Sequence, residues 1–243
     1  RGIFGEKAKR ARLDVGVVPA WAWCIITTID TQKDHFYVVV RAWGSGMKSQ
    51  RVWHGILKNF TDLDNLIYKT QWTVEGNKYP PMLNALVLID SGGTEDKMLG
   101  MTRTMQVYEW TVPRQAIVRA LKGASRPGDH LYWAMKNPMP KSKSSKQKLI
   151  RNELRAYMFD PHKAKDMLTD LIVRGVPKTP GRSMAEISGP EIWMLNKQHD
   201  PVYDRQMSSM HRTAEKKGKG IVEKWKLVQS GSRRDYHDCE TFQ

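Results

Sequence analysis

The sequence predicts an α/β fold in which a mixed β-sheet is flanked by helices. The first observation is an apolar run, Leu83–Asp90, continuous enough for a strand buried on both faces. The second is another β-rich run, Trp21–Asp30, which also ends in an aspartate. The third is that helical signals separate the later strands of the series. Because 40% of the 243 residues are apolar and nine are tryptophan, we expect a folded core.

Three antiparallel strands are predicted first. The strand Trp21–Asp30 is joined by a short polar connection to a second apolar strand, His35–Trp43, which indicates a hairpin. A Gly-Ser-Gly turn at 44–46 leads to a third strand near 50–56. Asp30 therefore ends the first strand of the sheet.

The next part of the chain predicts helix, strand, helix and strand. The first helix begins with Thr61 or Asp62 as its N-cap and continues to about Trp72, and residues 73–82 form a loop. The strand Leu83–Asp90, a helix over 94–105 and a strand over 115–121 follow. This order is the ribonuclease H-like arrangement, in which the first and fourth strands lie side by side.

The remaining segments have weaker or more isolated signals. Residues 126–148 lack regular signals and contain a basic, serine-rich tract, interpreted as a loop that contacts nucleic acid or as a solvated insertion. A helix runs from its N-cap Asp160 to Gly175, and 176–190 form a loop. Short strands are predicted over 191–195 and 222–228, a helix or irregular segment over 200–215, and a final helix from Arg233. Residues 1–20 are interpreted as a linker or an ordinary solvated terminus.

The charge of the chain favours a polyanionic partner. There are 40 Lys and Arg residues against 25 Asp and Glu residues, a formal net charge of +15, and nucleic acid is the first candidate. No run of about 18 apolar residues, basic amphipathic helix or lipidation motif favours a membrane. Cys24 and Cys239 have no zinc-ligand or disulfide spacing, and a cytoplasmic protein is the simplest interpretation. Phosphate-loop and serine-hydrolase motifs are absent.

Three aspartates predict a metal site. The pairing of the first and fourth strands brings Asp30 near Asp90, and Asp238 on the final helix completes the group. Carboxylate oxygens suit Mg²⁺, and two ions about 3.5–4 Å apart hydrolyse phosphodiesters. Each aspartate alone could instead be a cap or turn residue. The same ambiguity applies to Asp34, Asp235, Glu240 and His237, of which Glu240 could replace or supplement Asp238 and His237 could be a base, a ligand or a packed side chain.

The sequence resembles a known family in five blocks that occur in family order. They are Thr28–Asp34, Arg41–Gly44, Leu88–Gly93, Lys122–Ser125 and Tyr236–Glu240. The family is the C-terminal nuclease domain of phage terminase large subunits of the lambda-like packaging type. The resemblance implies a metal-dependent endonuclease that cuts concatemeric double-stranded viral DNA during packaging, in the cytoplasm of the infected bacterial host. Asp30 and Asp90 match the first two metal ligands, and Asp238 matches the third.

The resemblance also implies partners and boundaries. Residues 1–20 would be a linker from an ATPase domain of the same polypeptide, and 21–243 the nuclease domain, with 126–220 as a family-variable region. The terminase small subunit and the portal are implied partners.

The resulting hypothesis is that two Mg²⁺ or Mn²⁺ ions bound by the three aspartates cleave DNA. Basic residues would hold its phosphates, namely Lys122, Lys141, Lys143, Lys146, Lys148, Arg233 and Arg234. The alternatives are a transposase or junction resolvase of the same fold and a basic DNA-binding module without catalytic activity.

Overall fold

The main structural unit is an eight-stranded mixed sheet. The computed structural model describes residues 3–77, 79–92, 95–96, 101–125, 128–135, 153–174, 190–217 and 220–243. The strands of the main sheet are β2 (Cys24–Thr31), β3 (Phe36–Trp43), β4 (Ser49–Leu57), β6 (Asn84–Asp90), β9 (Val118–Gly123), β10 (Tyr132–Ala134), β11 (Ala156–Phe159) and β12 (Trp193–Met194). Their order across the sheet is β10-β11-β9-β6-β2-β3-β4-β12.

Short strands and helices complete the described part. The remaining strands are β1 (Val17–Val18), β5 (Thr73–Val74), β7 (Glu95–Asp96), β8 (Met101–Thr102), β13 (Met210–Lys217) and β14 (Gly220–Leu227). The helices are α1 (Ile3–Lys9), α2 (Phe60–Asp64), α3 (Arg103–Thr111), α4 (Pro161–Val173), α5 (Pro201–Met207) and α6 (Asp235–Thr241). None of the helices described is both long and apolar enough to cross a membrane.

The predicted ribonuclease H-like arrangement is confirmed. Strands β2, β3 and β4 form an antiparallel meander, and β6 and then β9 are added in parallel on the other side of β2. The chain passes through α2 between β4 and β6 and through α3 between β6 and β9. The first and fourth predicted strands are therefore neighbours, and their carboxyl ends lie at the same edge of the sheet.

Two apolar layers cover the two faces of the sheet. On one face Ile29 and Ile89 pack with Leu63 of α2 and Val107 of α3 in a buried cluster. On the other face, a second cluster uses the strand residues that alternate with those of the first cluster. It joins the sheet to α1, α4, α5 and α6. Its members include Phe4, Tyr37, Val39, Leu168, Trp193, Tyr203, Tyr236 and Cys239. The alternation of side chains along a strand assigns Asp30, next to Ile29, to this second face.

The helix predicted over 94–105 begins later than expected. Residues 95–96 and 101–102 form the short antiparallel strands β7 and β8, and α3 begins at Arg103. The Thr102 side chain caps it by accepting from the Met105 N–H at 3.2 Å. The predicted start at residue 94 was therefore wrong, because the capping residue is Thr102, eight positions further along the chain. Residues 93, 94 and 97–100 lie outside the described part.

The first predicted helix also has different ends. Its N-cap is Asn59, whose side chain accepts from the Asp62 N–H at 2.9 Å, and α2 continues as a π-helical turn to Lys69. The helix stops before Trp72 because the main chain of Trp72 pairs with that of Met82. This pairing and the short strand β5 give regular structure to part of the predicted loop 73–82.

The C-terminal half contains strands that the sequence did not reveal. Strand β11 pairs in parallel with β9, and β10 pairs with β11, so the segment expected to be a loop extends the sheet. The segment predicted as a helix or irregular over 200–215 divides into α5 and β13, and β13 forms a hairpin with β14. Helix α4 confirms its predicted N-cap, because Asp160 accepts from the N–H groups of His162 and Lys163. The predicted C-cap Gly175 lies outside the described residues.

Residues expected to form a linker pack against the domain. In α1, Phe4 and Ala8 are buried in the second-face cluster, and Lys7 Nζ pairs with Glu191 at 2.6 Å. Strand β1 pairs with β5. A connection of residues 1–20 to an upstream domain stays a prediction.

A buried ion pair joins α6 to the sheet. Arg41 of β3 donates from Nε and Nη2 to the two carboxylate oxygens of Glu240, each at 2.9 Å, and both side chains are fully buried. The Tyr203 hydroxyl donates to the same carboxylate at 2.5 Å, and Arg41 stacks on Trp193 with 4.3 Å to the ring centroid. Helix α6 is thus held over β2 and β3 by a charged and fully hydrogen-bonded group.

We expect Glu240→Ala to destabilise the domain by about 3–5 kcal/mol, because it leaves the Arg41 guanidinium buried without a counter-charge. Chemical denaturation would measure the loss. Glu6→Ala is the control, since Glu6 pairs with Lys9 on the surface, and its effect should be small. A Glu240→Ala protein as stable as the parent would contradict this account of how α6 is held.

Candidate active site

Asp30 and Asp90 lie side by side at the carboxyl ends of two parallel strands. Ile29 of β2 is in register with Ile89 of β6, and each aspartate is the next residue along its strand. Both side chains therefore leave the same face of the sheet at the same level. This is the edge where α/β folds place ligands, because the strands end there and the backbone opens to solvent.

Side-chain hydrogen bonds fix these strand ends. Thr31 donates from its hydroxyl to the main-chain carbonyl of Asp90 at 2.6 Å. The Ser91 hydroxyl donates to the carbonyl of Leu121 at 2.6 Å, and the Thr104 hydroxyl donates to the carbonyl of Ser91 at 2.7 Å. Strands β2, β6 and β9 and helix α3 are thereby tied together at the edge where the two aspartates lie.

Helix α6 brings the third aspartate to the same place. A cavity of about 170 Å³ is lined by Asp30, Asp90, Gly123, Phe159, Pro161, Lys165, Arg234, Asp238, Thr241 and Phe242. Three carboxylates from positions 30, 90 and 238 thus face one cavity. The structure brings together the residues that the sequence selected as the candidate site.

Asp238 is engaged by two cations. Its Oδ1 lies 3.1 Å from Lys165 Nζ of α4, and its Oδ2 accepts from Arg234 Nε at 2.8 Å. Within the ranges that the structure describes, no group of three His, Cys, Asp or Glu side chains has a geometry that could hold a metal ion. The ion pairs of Asp238 provide a physical reason, since they satisfy its charge with protein cations instead of leaving both oxygens free toward the other aspartates.

The other two aspartates, Asp30 and Asp90, have raised pKa values in this arrangement. The pKa of Asp30 is raised to about 8, chiefly by burial and also by the negative charges of Asp238 and Asp90, against the Gln32 amide, which lowers it by donating to Oδ2 at 2.5 Å. The pKa of Asp90 is raised to about 6, chiefly by burial and also by the charge of Asp238, against the Gly92 N–H and the charge of Lys122, which lower it. Negative charge in the cavity is therefore only partly compensated by protein groups.

The residues fit a hard divalent cation in their chemistry. All three acidic side chains offer oxygen ligands, which Mg²⁺ and Mn²⁺ prefer. Burial is the main cause of the raised pKa values of Asp30 and Asp90, and repulsion between the carboxylates adds to it. A bound cation would favour the charged form of both side chains and offset that repulsion. Asp30 and Asp90 are available for such a cation, whereas Asp238 would first have to exchange its pairs with Lys165 and Arg234.

Gly92 allows the backbone to approach the Asp90 carboxylate. The Gly92 N–H donates to that carboxylate, and a Cβ atom at position 92 would lie 2.8 Å from Asp90 Oδ2. Any larger residue would displace the carboxylate. Only glycine therefore fits at position 92 without a clash with the Asp90 side chain.

The comparison with known protein families agrees with this geometry. A family model described as the endonuclease domain of the terminase large subunit gpA matches residues 6–243. The chain belongs to this family. Searches of the curated proteins and of the solved structures each found no significant match. The suspected resemblance to terminase nuclease domains is therefore confirmed, and it extends over both the sheet and α6.

Other candidate residues of this terminase endonuclease domain have different surroundings. Glu240 is committed to Arg41 and Tyr203 and does not line the aspartate cavity. His237 is buried; burial and then the charge of Lys165 lower its pKa to about 4, so the imidazole is neutral near pH 7. Asp34 is exposed and bonds to His35, and it does not line the cavity.

Asp235 lies close to the site but has its own partners. It accepts from Gln206 Nε2 at 3.2 Å and from Arg233 Nε at 2.8 Å. Its charge contributes to the raised pKa of Asp30. We therefore place Asp235 beside the three-aspartate group and not within it.

Three of the predicted DNA-binding residues surround the cavity. Lys122 is exposed, and its charge acts on Asp90. Arg233 pairs with Asp235 and donates from Nη2 to Gln32 Oε1 at 3.3 Å, and Arg234 pairs with Asp238. The predicted contacts Lys141, Lys143, Lys146 and Lys148 lie outside the described residues. DNA binding by any of these residues stays a prediction.

Sequence reasoning missed Lys165 and the role of Gln32. Lys165 is 6% exposed on the inner side of α4, next to the buried residues Ala164 and Leu168. A lysine on the apolar side of an amphipathic helix requires a buried carboxylate partner, and this signal was present in the sequence. Gln32 is part of a recognised block, but its hydrogen bond to Asp30 depends on the turn after β2 and was not predictable.

We expect the domain without metal to lose stability as pH rises. The folded chain retains the Asp30 proton up to about pH 8, whereas the unfolded chain releases it near pH 3.8. Between these values the folded state binds more protons, so the free energy of unfolding falls by up to about 1.4 kcal/mol per pH unit. Thermal unfolding in EDTA from pH 4 to pH 8 measures this.

Asp30→Asn provides the comparison for that series. The variant should be more stable than the parent at pH 8 and equal to it near pH 4, because asparagine has no proton to lose. Mg²⁺ or Mn²⁺ at pH 8 should raise the stability of the parent only. Parallel pH profiles for the two proteins would show that Asp30 does not titrate in this way.

Proposed function

We propose that this domain is a metal-dependent endonuclease that cuts double-stranded viral DNA during genome packaging. The observation that supports the proposal best is that Asp30, Asp90 and Asp238, separated widely in sequence, line one cavity. Membership of the terminase endonuclease family gives the biological setting. The reaction is hydrolysis of a phosphodiester bond of the DNA backbone.

Asp30 and Asp90 would hold the metal ions, and Asp238 would join them when its pairs with Lys165 and Arg234 open. Bound Mg²⁺ or Mn²⁺, as a pair of ions, would supply an activated water and stabilise the leaving oxygen. The protein's own contribution is positioning: Gln32 orients the Asp30 carboxylate, and the Gly92 N–H orients that of Asp90. The cations released from Asp238 would then be free to pair with the phosphates of the substrate.

Basic side chains beside the cavity would position the duplex. Lys122 lies in β9, next to the strand β6 that carries Asp90. Arg233 lies over Tyr37 of β3, next to the strand β2 that carries Asp30. Contacts of this kind bind phosphates and give little base preference. The substrate is therefore proposed to be duplex DNA with little dependence on local sequence.

The packaging setting implies further partners. We include an ATPase domain of the same polypeptide, the terminase small subunit and the portal among the proposed partners, and the cytoplasm of the infected bacterium as the place of action. These follow from the family and not from any contact in the described residues.

We expect Asp30→Asn or Asp90→Asn to abolish plasmid cleavage while leaving the fold intact. An amide cannot supply the negative charge that the cation requires, but it preserves the shape of the side chain. Asp34→Asn is the matched control. It makes the same change four residues after Asp30, on the exposed turn after β2, and the variant should cut normally. The assay uses supercoiled plasmid with Mg²⁺ or Mn²⁺ and repeats it with EDTA.

The same assay separates the alternatives. Linear product that requires metal supports the nuclease, whereas cleavage limited to branched DNA would favour a junction resolvase. DNA binding with no cleavage under any metal would favour a non-catalytic module. Full activity in Asp30→Asn or Asp90→Asn would refute the assignment of the site.

We expect duplex binding to weaken steeply with salt, because each lysine or arginine that contacts a phosphate releases counterions. The slope of log affinity against log salt is about −0.9 for each contact. Lys122→Ala should make the slope shallower by about one contact, measured by fluorescence anisotropy in EDTA. An unchanged slope would remove Lys122 from the proposed DNA surface.

A further inference from the structure

A second polar cavity lies at the opposite end of the sheet from the aspartates. It has a volume of about 270 Å³, and its lining includes Trp21, Lys48 and Gln50. Cys24, the first residue of β2, and Ser49, the first residue of β4, both pair with Trp43. Cys24 and Asp30 are six residues apart along β2, so the two cavities are separated by roughly 20 Å at 3.3 Å per residue.

Gln50 lines this cavity and carries a buried donor. The residue is 5% exposed, and its Nε2 has no hydrogen-bond partner within the part of the chain that the structure describes. A buried amide without a hydrogen-bond partner is unfavourable for the folded state. An acceptor that reaches this amide from the cavity would supply the missing hydrogen bond. The cavity is much larger than the roughly 10–15 Å³ that one water molecule needs.

The surrounding charges favour an acceptor that is an anion. Arg10, Arg12 and Lys48 line the cavity, and Lys48 Nζ lies 4.4 Å from the centroid of the Trp21 ring. Arg12 is the exposed member of this group. These cations come from two chain segments that converge only in the folded domain.

Two acidic residues also line the cavity, but both have partners. Glu191 pairs with the buried Lys7 at 2.6 Å and lies 3.9 Å from Arg10. Glu75 Oε2 accepts from the Ala20 N–H at 3.4 Å. Four cationic side chains, including Lys7, therefore face two acidic ones, and the excess positive charge is left for a ligand.

We propose that this cavity binds a phosphate group, separately from the candidate active site. Arginine side chains pair with phosphate through two parallel hydrogen bonds, and a glutamine amide is a common donor to phosphate oxygens. The phosphate comes either from a free nucleotide or from the DNA backbone. Binding at this place involves no residue that the nuclease proposal uses.

The experiment measures binding by the 243-residue chain in EDTA at low salt. The probes are inorganic phosphate and ATP, by calorimetry, and a 20-base-pair duplex, by fluorescence anisotropy. The variants are Gln50→Leu, which removes the unpartnered donor, and Arg12→Glu, which reverses an exposed charge. Lys69→Glu is the control, because it makes the same change of charge at an exposed lysine outside the cavity.

We expect both variants to weaken a phosphate-bearing probe by about tenfold and the control to leave it unchanged. Gln50→Leu should keep or increase the stability of the domain, since the donor it removes is unsatisfied without ligand. Weaker binding of inorganic phosphate or ATP identifies a nucleotide or free phosphate as the source. Weaker binding of the duplex alone identifies the DNA backbone.

The proposal is overturned if all three probes bind the two variants as tightly as they bind the parent. If Gln50→Leu disturbs the fold, Arg12→Glu still tests the cavity, because Arg12 is an exposed residue. Since EDTA is present and no cleavage is scored, an inactive nuclease would leave the result unchanged. A negative result would equally leave the nuclease proposal standing.

Discussion

The candidate site depends on the buried pair between Arg41 and Glu240. Asp30 and Asp90 are placed by the register of two strands, but Asp238 reaches them only because α6 lies across β2 and β3. The bidentate pair and the Tyr203 hydroxyl satisfy both Glu240 oxygens and so fix α6 along and around its axis. A buried charge pair contributes little net stability compared with an apolar contact, but it tolerates few alternative positions. We infer that its main effect here is on the placement of α6.

The repulsion among three carboxylates is relieved in two different ways. Asp238 is paired with two protein cations, Lys165 and Arg234. Asp30 is buried, Asp90 is half-buried, and both have fewer such partners, so the fold raises their pKa values instead. In the proposed function, a divalent cation would take the place of both the ion pairs of Asp238 and the retained protons of the other two aspartates.

The sequence predicted the central strands of the sheet better than its edge strands and the helix ends. The apolar strands that end at Asp30 and Asp90 have continuous patterns, and helix–strand order then requires them to be neighbours. Strands β10 and β11 are short, and they are strands because β9 offers an edge, which is tertiary information. Helix α3 was placed too early because Thr94 and Thr102 are equally good caps. Lys165 was overlooked because its partner, Asp238, is 73 positions away.

Helix geometry explains why Asp238 and Glu240, two acidic residues near the end of the chain, have unrelated environments. Residues two apart on an α-helix point about 200° apart, so they lie on nearly opposite sides. With Glu240 turned inward to Arg41, Asp238 must face the end of the sheet where Asp30 and Asp90 lie. The sequence alone offered either residue as the third ligand because both are carboxylates in the same block. The position of one arginine on β3 decides between them, and that arginine is 199 residues away from its partner.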